Sequence, residues 1–140
     1  MVVKRESITE RLKELDRILN ELHRHDNLTL VDLQQDMSQR WIIERGLIAG
    51  AALILDIADH ILTSEFGLYA HSYEESLQFL HDKQVISDEL YSQIRGLGGF
   101  RNVLVHLYHD IDVQQVWVGW EKARTTFPLF IAEVLAWLEK

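Results

Sequence analysis

The hydrophobic residues of this chain recur mostly at intervals of three and four positions, which is the period of an α-helix. The first such stripe is regular and consists of Ile8, Leu12, Leu15, Ile18, Leu19 and Leu22. Further stripes follow, and short polar segments rich in Ser, Asp and Gly separate them. With 140 residues the chain is long enough to bury one substantial core. We therefore predict a single all-α domain over residues 1–140, folded as a five-helix up-and-down bundle.

Residues that cap helix N-termini mark where most of these helices begin. A capping side chain accepts hydrogen bonds from backbone N–H groups that the first turn leaves unpaired. The predicted caps are Ser7 with Glu10, Ser72 with Glu75, Ser87 and Asp112. The second helix is predicted over residues 31–62, where glycines and alanines permit close packing of neighbouring helices. In the last helix Pro128 removes a hydrogen-bond donor and predicts a kink.

The segment 100–112, FRNVLVHLYHDID, concentrates side chains of catalytic type on one predicted helix. Its core-facing side is predicted to consist of Phe100, Val103, Leu104, Leu107 and Ile111. At roughly 100° per residue, Arg101 and Tyr108 lie about 20° apart, whereas Arg101 and His106 lie about 140° apart. One straight helix therefore cannot easily direct Arg101 and His106 at the same atom.

Val105 is an apolar residue on the polar side of the same helix. An apolar side chain there indicates a covered surface, and a second copy of this helix is a suitable cover. A two-fold dimer would bring Arg101 of one chain toward His106 of the other. The segment thus predicts a composite site at a homodimer interface.

The run RNVLVHLY, residues 101–108, resembles the Arg-x4-His-x-Tyr motif of HEPN-domain proteins, specifically the HepT-like toxins. The resemblance covers most of the chain, because the length, the helix order and the position of the motif before a last helix all fit. It implies an all-helical, HEPN-like homodimer that cleaves RNA without a metal ion or other cofactor. It also implies a partner, an MntA-type minimal nucleotidyltransferase antitoxin, which silences the toxin by attaching AMP to Tyr108.

Metal-independent RNA cleavage requires a base for the 2′-hydroxyl, a cation for the phosphate and an acid for the leaving 5′-oxygen. Histidine suits both proton transfers because it changes charge near neutral pH, so His106 is the predicted general acid or base. Arg101 is the predicted phosphate clamp, since a guanidinium bonds two phosphate oxygens and stays charged. Asn102 would orient the substrate or the histidine. Two His106 residues in a dimer would supply both acid and base, and a 2′,3′-cyclic phosphate end is the expected product.

Asp56 interrupts the apolar run LILDIADHI in the second predicted helix. An unpaired carboxylate is costly to bury, so we expect Asp56 to be exposed or paired, with Arg101 as a candidate partner. From the residues alone, a structural ion pair and a role in the site are both open. The family resemblance implies an acidic residue of this helix near the motif, which favours Asp56 as a residue that binds or orients substrate. Gly96, Gly98 and Gly99 precede the motif and predict either a helix break or a close approach.

Composition and charge restrict the possible functions. With 47% hydrophobic and 26% charged residues, the chain has the composition of an ordinary globular protein. The net charge of −8 predicts a narrow RNA contact, because RNA phosphates are normally bound by basic patches. The absence of cysteine suits the cytoplasm and excludes a thiolate metal site. We interpret His23, His25 and Asp26 as a solvated helix end, so no metal site is predicted.

No membrane association is expected from the sequence. The longest uncharged apolar run is too short to span a bilayer, and the N-terminal residues lack the apolar core of a signal peptide. We therefore expect a cytoplasmic protein.

A second class of function stays open alongside the ribonuclease. The alternative is a non-catalytic substrate- or nucleotide-binding subunit of a two-component nucleotidyltransferase, a role also found among HEPN relatives. That role uses the arginine but does not need His106, so the complete motif favours the ribonuclease.

Overall fold

The computed structural model describes residues 2–106 and 112–140, with side chains from residue 5 onward. This part of the chain contains seven helices and no strand. In order they are α1 (Val2–His23), α2 (Leu30–Gln35), α3 (Met37–Phe66), α4 (Tyr73–Asp82), α5 (Asp88–Ile94), α6 (Leu97–Val105) and α7 (Val113–Leu138). The prediction of an all-α bundle is confirmed. Two of the predicted helices are each divided in two, the second into α2 and α3 and the fourth into α5 and α6.

The long helix α3 lies at the centre and contacts α1, α2, α4, α6 and α7. Most of its buried side chains are apolar, among them Ile43, Leu47, Ile54, Ile57, Ile61 and Leu62. Two glycines allow neighbouring helices to approach its backbone, as predicted. A Cβ on Gly50 would lie 2.7 Å from Cε2 of Phe127, and a Cβ on Gly46 would collide with the side chain of Leu22. The bundle therefore packs α1 and α7 directly against the α3 backbone.

One predicted helix start is wrong, and one predicted helix is interrupted. α1 begins before Ser7, so Ser7 and Glu10 lie inside the helix and do not open it. The second predicted helix is interrupted at Asp36, whose carboxylate accepts hydrogen bonds from the N–H groups of Ser38 and Gln39 at 3.0 and 3.3 Å. Helical periodicity does not reveal this break, because only one residue, Asp36, separates α2 from α3.

The other predicted caps are confirmed. The side chains of Ser72, Ser87 and Asp112 accept hydrogen bonds from backbone N–H groups in the first turns of α4, α5 and α7 at 3.0 to 3.1 Å. The carboxylate of Glu75 accepts its hydrogen bond from the N–H of His71 rather than from that of Ser72. α7 continues through Pro128, and the kink there stays a prediction.

Fewer residues of the motif segment face the core than predicted. Leu104 is buried, whereas Val103 is 43% exposed, so its assignment to the core is wrong. The reason is that α6 packs against α3 and α4 and leaves a groove toward α7, which Val103 lines. Val105 is exposed at the end of α6. Leu107 and Ile111 lie outside the described residues.

One helix in the described part of the chain, α3, is long and apolar enough to cross a membrane. Half of its most apolar window is buried against the other helices, as in the core helix of a soluble bundle. Length and composition alone are weak evidence for a membrane span.

An ion pair is buried near the N-terminal end of α3. Nε of Arg40 lies 3.3 Å from Oε2 of Glu44, and the two side chains are only 13% and 11% exposed. Burial disfavours the charged carboxylate and raises the pKa of Glu44, while the positive charge of Arg40 opposes part of that shift. The folded chain therefore binds a proton at Glu44 more tightly than the unfolded chain does.

We expect the ionised form of Glu44 to lower the free energy of unfolding at neutral pH. Because its folded pKa lies above the ordinary value of 4.5, stability from this group falls as the pH rises from 4.5 through the folded pKa. Glu44→Gln removes this titration and nearly preserves the shape. Urea denaturation of both proteins should show the wild type gaining stability relative to Glu44→Gln as the pH is lowered from about 7 to about 4.5. If the difference in the free energy of unfolding between the wild type and Glu44→Gln does not change with pH, the burial of the Glu44 charge is contradicted.

Candidate functional site

The helix that carries the motif, α6, is attached to α4 by one carboxylate. Gly96 has a left-handed φ of 93° and no side chain with which to cap α6. Glu74 of α4 takes over that role, because its Oε2 accepts the N–H of Gly96 at 2.8 Å and its Oε1 accepts the N–H of Gly98 at 3.0 Å. A negative charge at a helix N-terminus is also favoured by the helix dipole. The chain therefore breaks between α5 and α6 at Gly96. A helix break is one of the two outcomes predicted for Gly96, Gly98 and Gly99.

The predicted close approach is present as well. A Cβ on Gly98 would lie 2.6 Å from Cβ of Tyr73, so only a glycine fits at this contact without a shift of the neighbouring chain. The contact brings the first residue of α4 against α6. One turn later, Cζ of Arg101 lies 5.6 Å from the centre of the Tyr73 ring. The guanidinium is thus held near an aromatic ring, an arrangement that favours a cation.

Arg101 faces a small cavity of about 170 Å³ between α3, α4 and α6. The cavity is lined by Ala52, Leu55, Asp56, Asp59, Tyr73 and Arg101. Within the described residues, Arg101 forms no ion pair with either aspartate. Its hydrogen-bond donors are therefore not used by these carboxylates.

Asp56 is paired with a different arginine from the one predicted. Its Oδ2 accepts a hydrogen bond from Nε of Arg11 at 2.5 Å, so the expected pair between Asp56 and Arg101 is wrong. The packing of α1 against α3 brings Arg11 there, and Arg11 also bonds the carbonyl and hydroxyl oxygens of Ser7. The Asp56 side chain remains 51% exposed and lines the cavity beside Arg101.

Asn102 lines a second and larger cleft, of about 510 Å³, on the adjoining face of α6. Asp59 lines both the cleft and the small cavity, and its Oδ1 accepts a hydrogen bond from the hydroxyl of Ser76 at 2.6 Å. Sequence reasoning missed Asp59, Tyr73 and Glu74. Asp59 shares the apolar run that drew attention to Asp56, but nothing in the sequence indicates its neighbours.

His106 ends α6 and lies apart from both cavities. Its backbone N–H donates to the carbonyl of Asn102 at 3.2 Å, which places the two residues one turn apart on the same face. The residue is exposed, and it lines neither the small cavity nor the larger cleft. Within the described residues, Arg101 lines the small cavity and His106 does not. Tyr108 lies outside the described residues.

The described residues contain no group of three or more His, Asp or Glu side chains placed to hold a metal ion. At the predicted solvated helix end, His23 Nδ1 lies 3.1 Å from an oxygen of Asp26. Both side chains are open to solvent there. The chemistry available at α6 is therefore that of a guanidinium, an amide and an imidazole.

The sequence matches a family model described as HepT-like, ribonuclease HepT-like, over residues 6–134. It is also similar to the tRNA nuclease HepT of Aphanizomenon flos-aquae (strain 2012/KM1/D3). The two are 33% identical over 131 residues, which is 94% of this chain and 89% of the relative.

Several solved structures share the fold at much lower identity. The cytosolic protein of unknown function YutE from Bacillus subtilis superposes with a TM-score of 0.81 at 20% identity, over 96% of this chain and 90% of that one. A tri-AMPylated Shewanella oneidensis HEPN toxin, solved in complex with MNT antitoxin, superposes with a TM-score of 0.81 at 20% identity, over 92% and 96%. A toxin–antitoxin structure with AMP-PNP gives 0.82 at 19% identity, over 92% and 97%. At these identities the likeness establishes the fold alone.

Proposed function

We propose that this chain, which belongs to the ribonuclease HepT-like family, is the toxin ribonuclease of a toxin–antitoxin pair. The observation that carries the proposal is the match to a nuclease of this family along nearly the whole chain. The arginine and the histidine of the motif are both present on α6, as the reaction requires. RNA is the proposed substrate, and tRNA is the first RNA to test.

Arg101 is proposed as the residue that binds the scissile phosphate. Two aspartates lie near it, and a carboxylate beside a guanidinium competes with phosphate for the same donors. Both aspartates have other partners, since Asp56 is paired with Arg11 and Asp59 accepts the hydroxyl of Ser76. Arg101 therefore keeps donors for two phosphate oxygens. Asp56 and Asn102 are proposed to orient the guanidinium and the RNA around it.

His106 is proposed as the general acid or base. As base, it would remove the proton of the 2′-hydroxyl, whose oxygen attacks phosphorus; as acid, it would protonate the leaving 5′-oxygen. The P–O5′ bond breaks as the new P–O2′ bond forms, which leaves a 2′,3′-cyclic phosphate and a 5′-hydroxyl. No metal ion takes part in these steps, so cleavage is proposed to be metal-independent and to need no cofactor.

The site is proposed to be shared between two chains of a homodimer. Arg101 faces the cavity between α3, α4 and α6, while His106 is exposed at the end of α6. Val105 is exposed next to His106, and an apolar side chain at the open end of a helix suits an interface with a second copy. In such a dimer, Arg101 of one chain meets His106 of the other.

We expect purified, unmodified protein to cut tRNA or total RNA in the presence of EDTA. Arg101→Ala and His106→Ala should each lower the cleavage rate about a hundredfold or more, because each removes a group that acts on the reacting phosphate. Labelled RNA resolved on a gel measures the rate, and treatment with a phosphatase that opens cyclic phosphates identifies the product end.

Two substitutions serve as matched controls. Cζ of Arg95 lies 5.6 Å from the Tyr91 ring, the same arrangement that Arg101 has with Tyr73, so Arg95→Ala removes a comparable contact outside the site. His23→Ala removes an exposed histidine at the end of α1. Both should cut RNA at close to the wild-type rate. Wild-type protein that leaves every RNA intact would instead favour the nucleotide-binding subunit, and 3′-hydroxyl products would contradict the assigned chemistry.

The partner is proposed to be a minimal nucleotidyltransferase antitoxin of the MntA type, which attaches AMP to Tyr108. Tyr108 follows His106 by two residues in the sequence. An AMP group on its hydroxyl is proposed to compete with the RNA phosphate for the guanidinium of Arg101. The modified toxin would be inactive. Both proteins would act in the cytoplasm, where ATP and tRNA are available.

We expect the wild-type chain to gain mass in whole units of AMP when it is incubated with ATP and its nucleotidyltransferase. Loss of RNA cleavage should accompany the gain. Tyr108→Phe should gain no AMP and keep its cleavage activity in the same mixture, whereas the control Tyr91→Phe should behave like wild type. Intact-mass spectrometry and the cleavage assay on the same samples measure both effects. AMP on Tyr108→Phe would place the modification on another residue.

A further inference from the structure

The cleft beside Arg101 has the size and the chemistry of a site for one RNA base. Its volume is about 510 Å³, and it lies between the segment that leads into α4 and the first turns of α6. Its polar lining includes Asp59, His71, Ser72, Tyr73, Glu74 and Asn102, and Gly98 and Gly99 also line it. The carboxylate of Glu74 already accepts the N–H groups of Gly96 and Gly98. A single base fits a concave site of this size, which falls within the usual range for small ligands.

Gly99 leaves space that the protein itself does not use. A Cβ at this position would meet no heavy atom within 4 Å, and the residue has no positive φ. Glycine weakens a helix relative to alanine, and neither packing nor backbone conformation explains it here. Gly98 is different, since its missing Cβ is required by the contact with Tyr73. The open side of Gly99 widens the cleft.

Charge decides which part of a nucleotide the cleft accepts. Asp59 faces it with a carboxylate that is held in place by the hydroxyl of Ser76 at 2.6 Å. An ionised carboxylate only accepts hydrogen bonds and repels phosphate, so it selects a ligand with N–H donors. The amide of Asn102 can both donate and accept. Arg101, on the neighbouring cavity, is the group suited to the phosphate.

We propose that this cleft binds the base next to the scissile phosphate and prefers a base with an exocyclic amino group. Adenine, cytosine and guanine present such a donor to Asp59. Uracil has no exocyclic amino group, and its N3–H lies between two carbonyl oxygens that the carboxylate repels. The ring of Tyr73 lines the cleft, so the base can contact its edge or stack on its face. The proposal rests on the ribonuclease function proposed above and adds the base preference of that site.

The position of the cleft along α6 supports this assignment. The cleft shares Asp59 and Tyr73 with the small cavity that Arg101 lines. A base in the cleft therefore leaves its phosphate close to Arg101, where His106 of the partner chain is proposed to act.

The test is equilibrium binding of short RNA to protein that carries His106→Ala, in which RNA is bound but not cut. Fluorescence anisotropy with hexamers of A, C and U should give about tenfold tighter binding for A and C than for U. Adding Gly99→Leu should lower the affinity for A and C about tenfold and leave that for U nearly unchanged. Gly99→Ala, which adds one carbon, should change little. Both Gly99 variants should melt at or above the temperature of the parent, because a side chain there favours the helix.

Asp59→Asn provides a second test that does not depend on filling the cleft. It keeps an oxygen for the hydroxyl of Ser76 and adds an amino group that suits the carbonyls of uracil. The preference should therefore shift toward U. Equal affinity of the parent for all three hexamers, or unchanged binding by a folded Gly99→Leu protein, would overturn the proposal.

The failure of this proposal is distinguishable from failure of the ribonuclease itself. If the wild type cuts RNA and Gly99→Leu cuts it with the same base preference and rate, only the base site is wrong. If the parent binds no RNA and the wild type cuts none, both proposals are wrong.

Discussion

The attachment of α6 to α4 determines where the proposed site residues lie. The carboxylate of Glu74 accepts the N–H groups of Gly96 and Gly98, and these bonds begin a helix that has no capping side chain of its own. Hydrogen bonds to an ionised carboxylate are among the stronger ones in proteins. The missing Cβ of Gly98 lets Tyr73 approach, and Arg101 comes to lie against the Tyr73 ring. A change in this attachment would move Arg101 and Asn102.

Much of the fold could be predicted from local pattern, and most of the site could not. Apolar periodicity predicts α1 and α7, and the caps at Ser72, Ser87 and Asp112 are confirmed because a cap acts within one turn. The same periodicity missed the break at Asp36, since only one residue separates the two helices there.

The residues around Arg101 show the limit of such reasoning. Periodicity indicates which face of a helix is apolar, but not which helix covers it. Asp56 is exposed and paired, as either alternative predicts, but its partner is not the candidate Arg101. Arg11, 45 positions away in the sequence, takes that place. The bond from Glu74 to Gly96 spans 22 positions, and nothing local to either residue predicts it. Long-range packing decides both contacts.

An acidic protein can bind RNA if its carboxylates leave the phosphate-binding arginine free and accept hydrogen bonds from a base. The chain carries a net charge of −8, and both carboxylates beside Arg101 have partners of their own. In the proposed arrangement the phosphate meets the guanidinium and a base meets Asp59. Such a contact is narrow, and it depends more on shape and hydrogen bonds than on a basic surface.

The central claim is that Arg101 and His106 act across two chains, and a mixed dimer tests it most directly. Chains with Arg101→Ala and chains with His106→Ala, carrying different affinity tags, are produced together, and the mixed dimer is purified through both tags. One of its two composite sites then contains both native residues, so it should cut RNA at about half the wild-type rate, while each single-variant dimer is inactive. A mixed dimer as inactive as its parents would contradict a site that one Arg101 and one His106 from different chains complete.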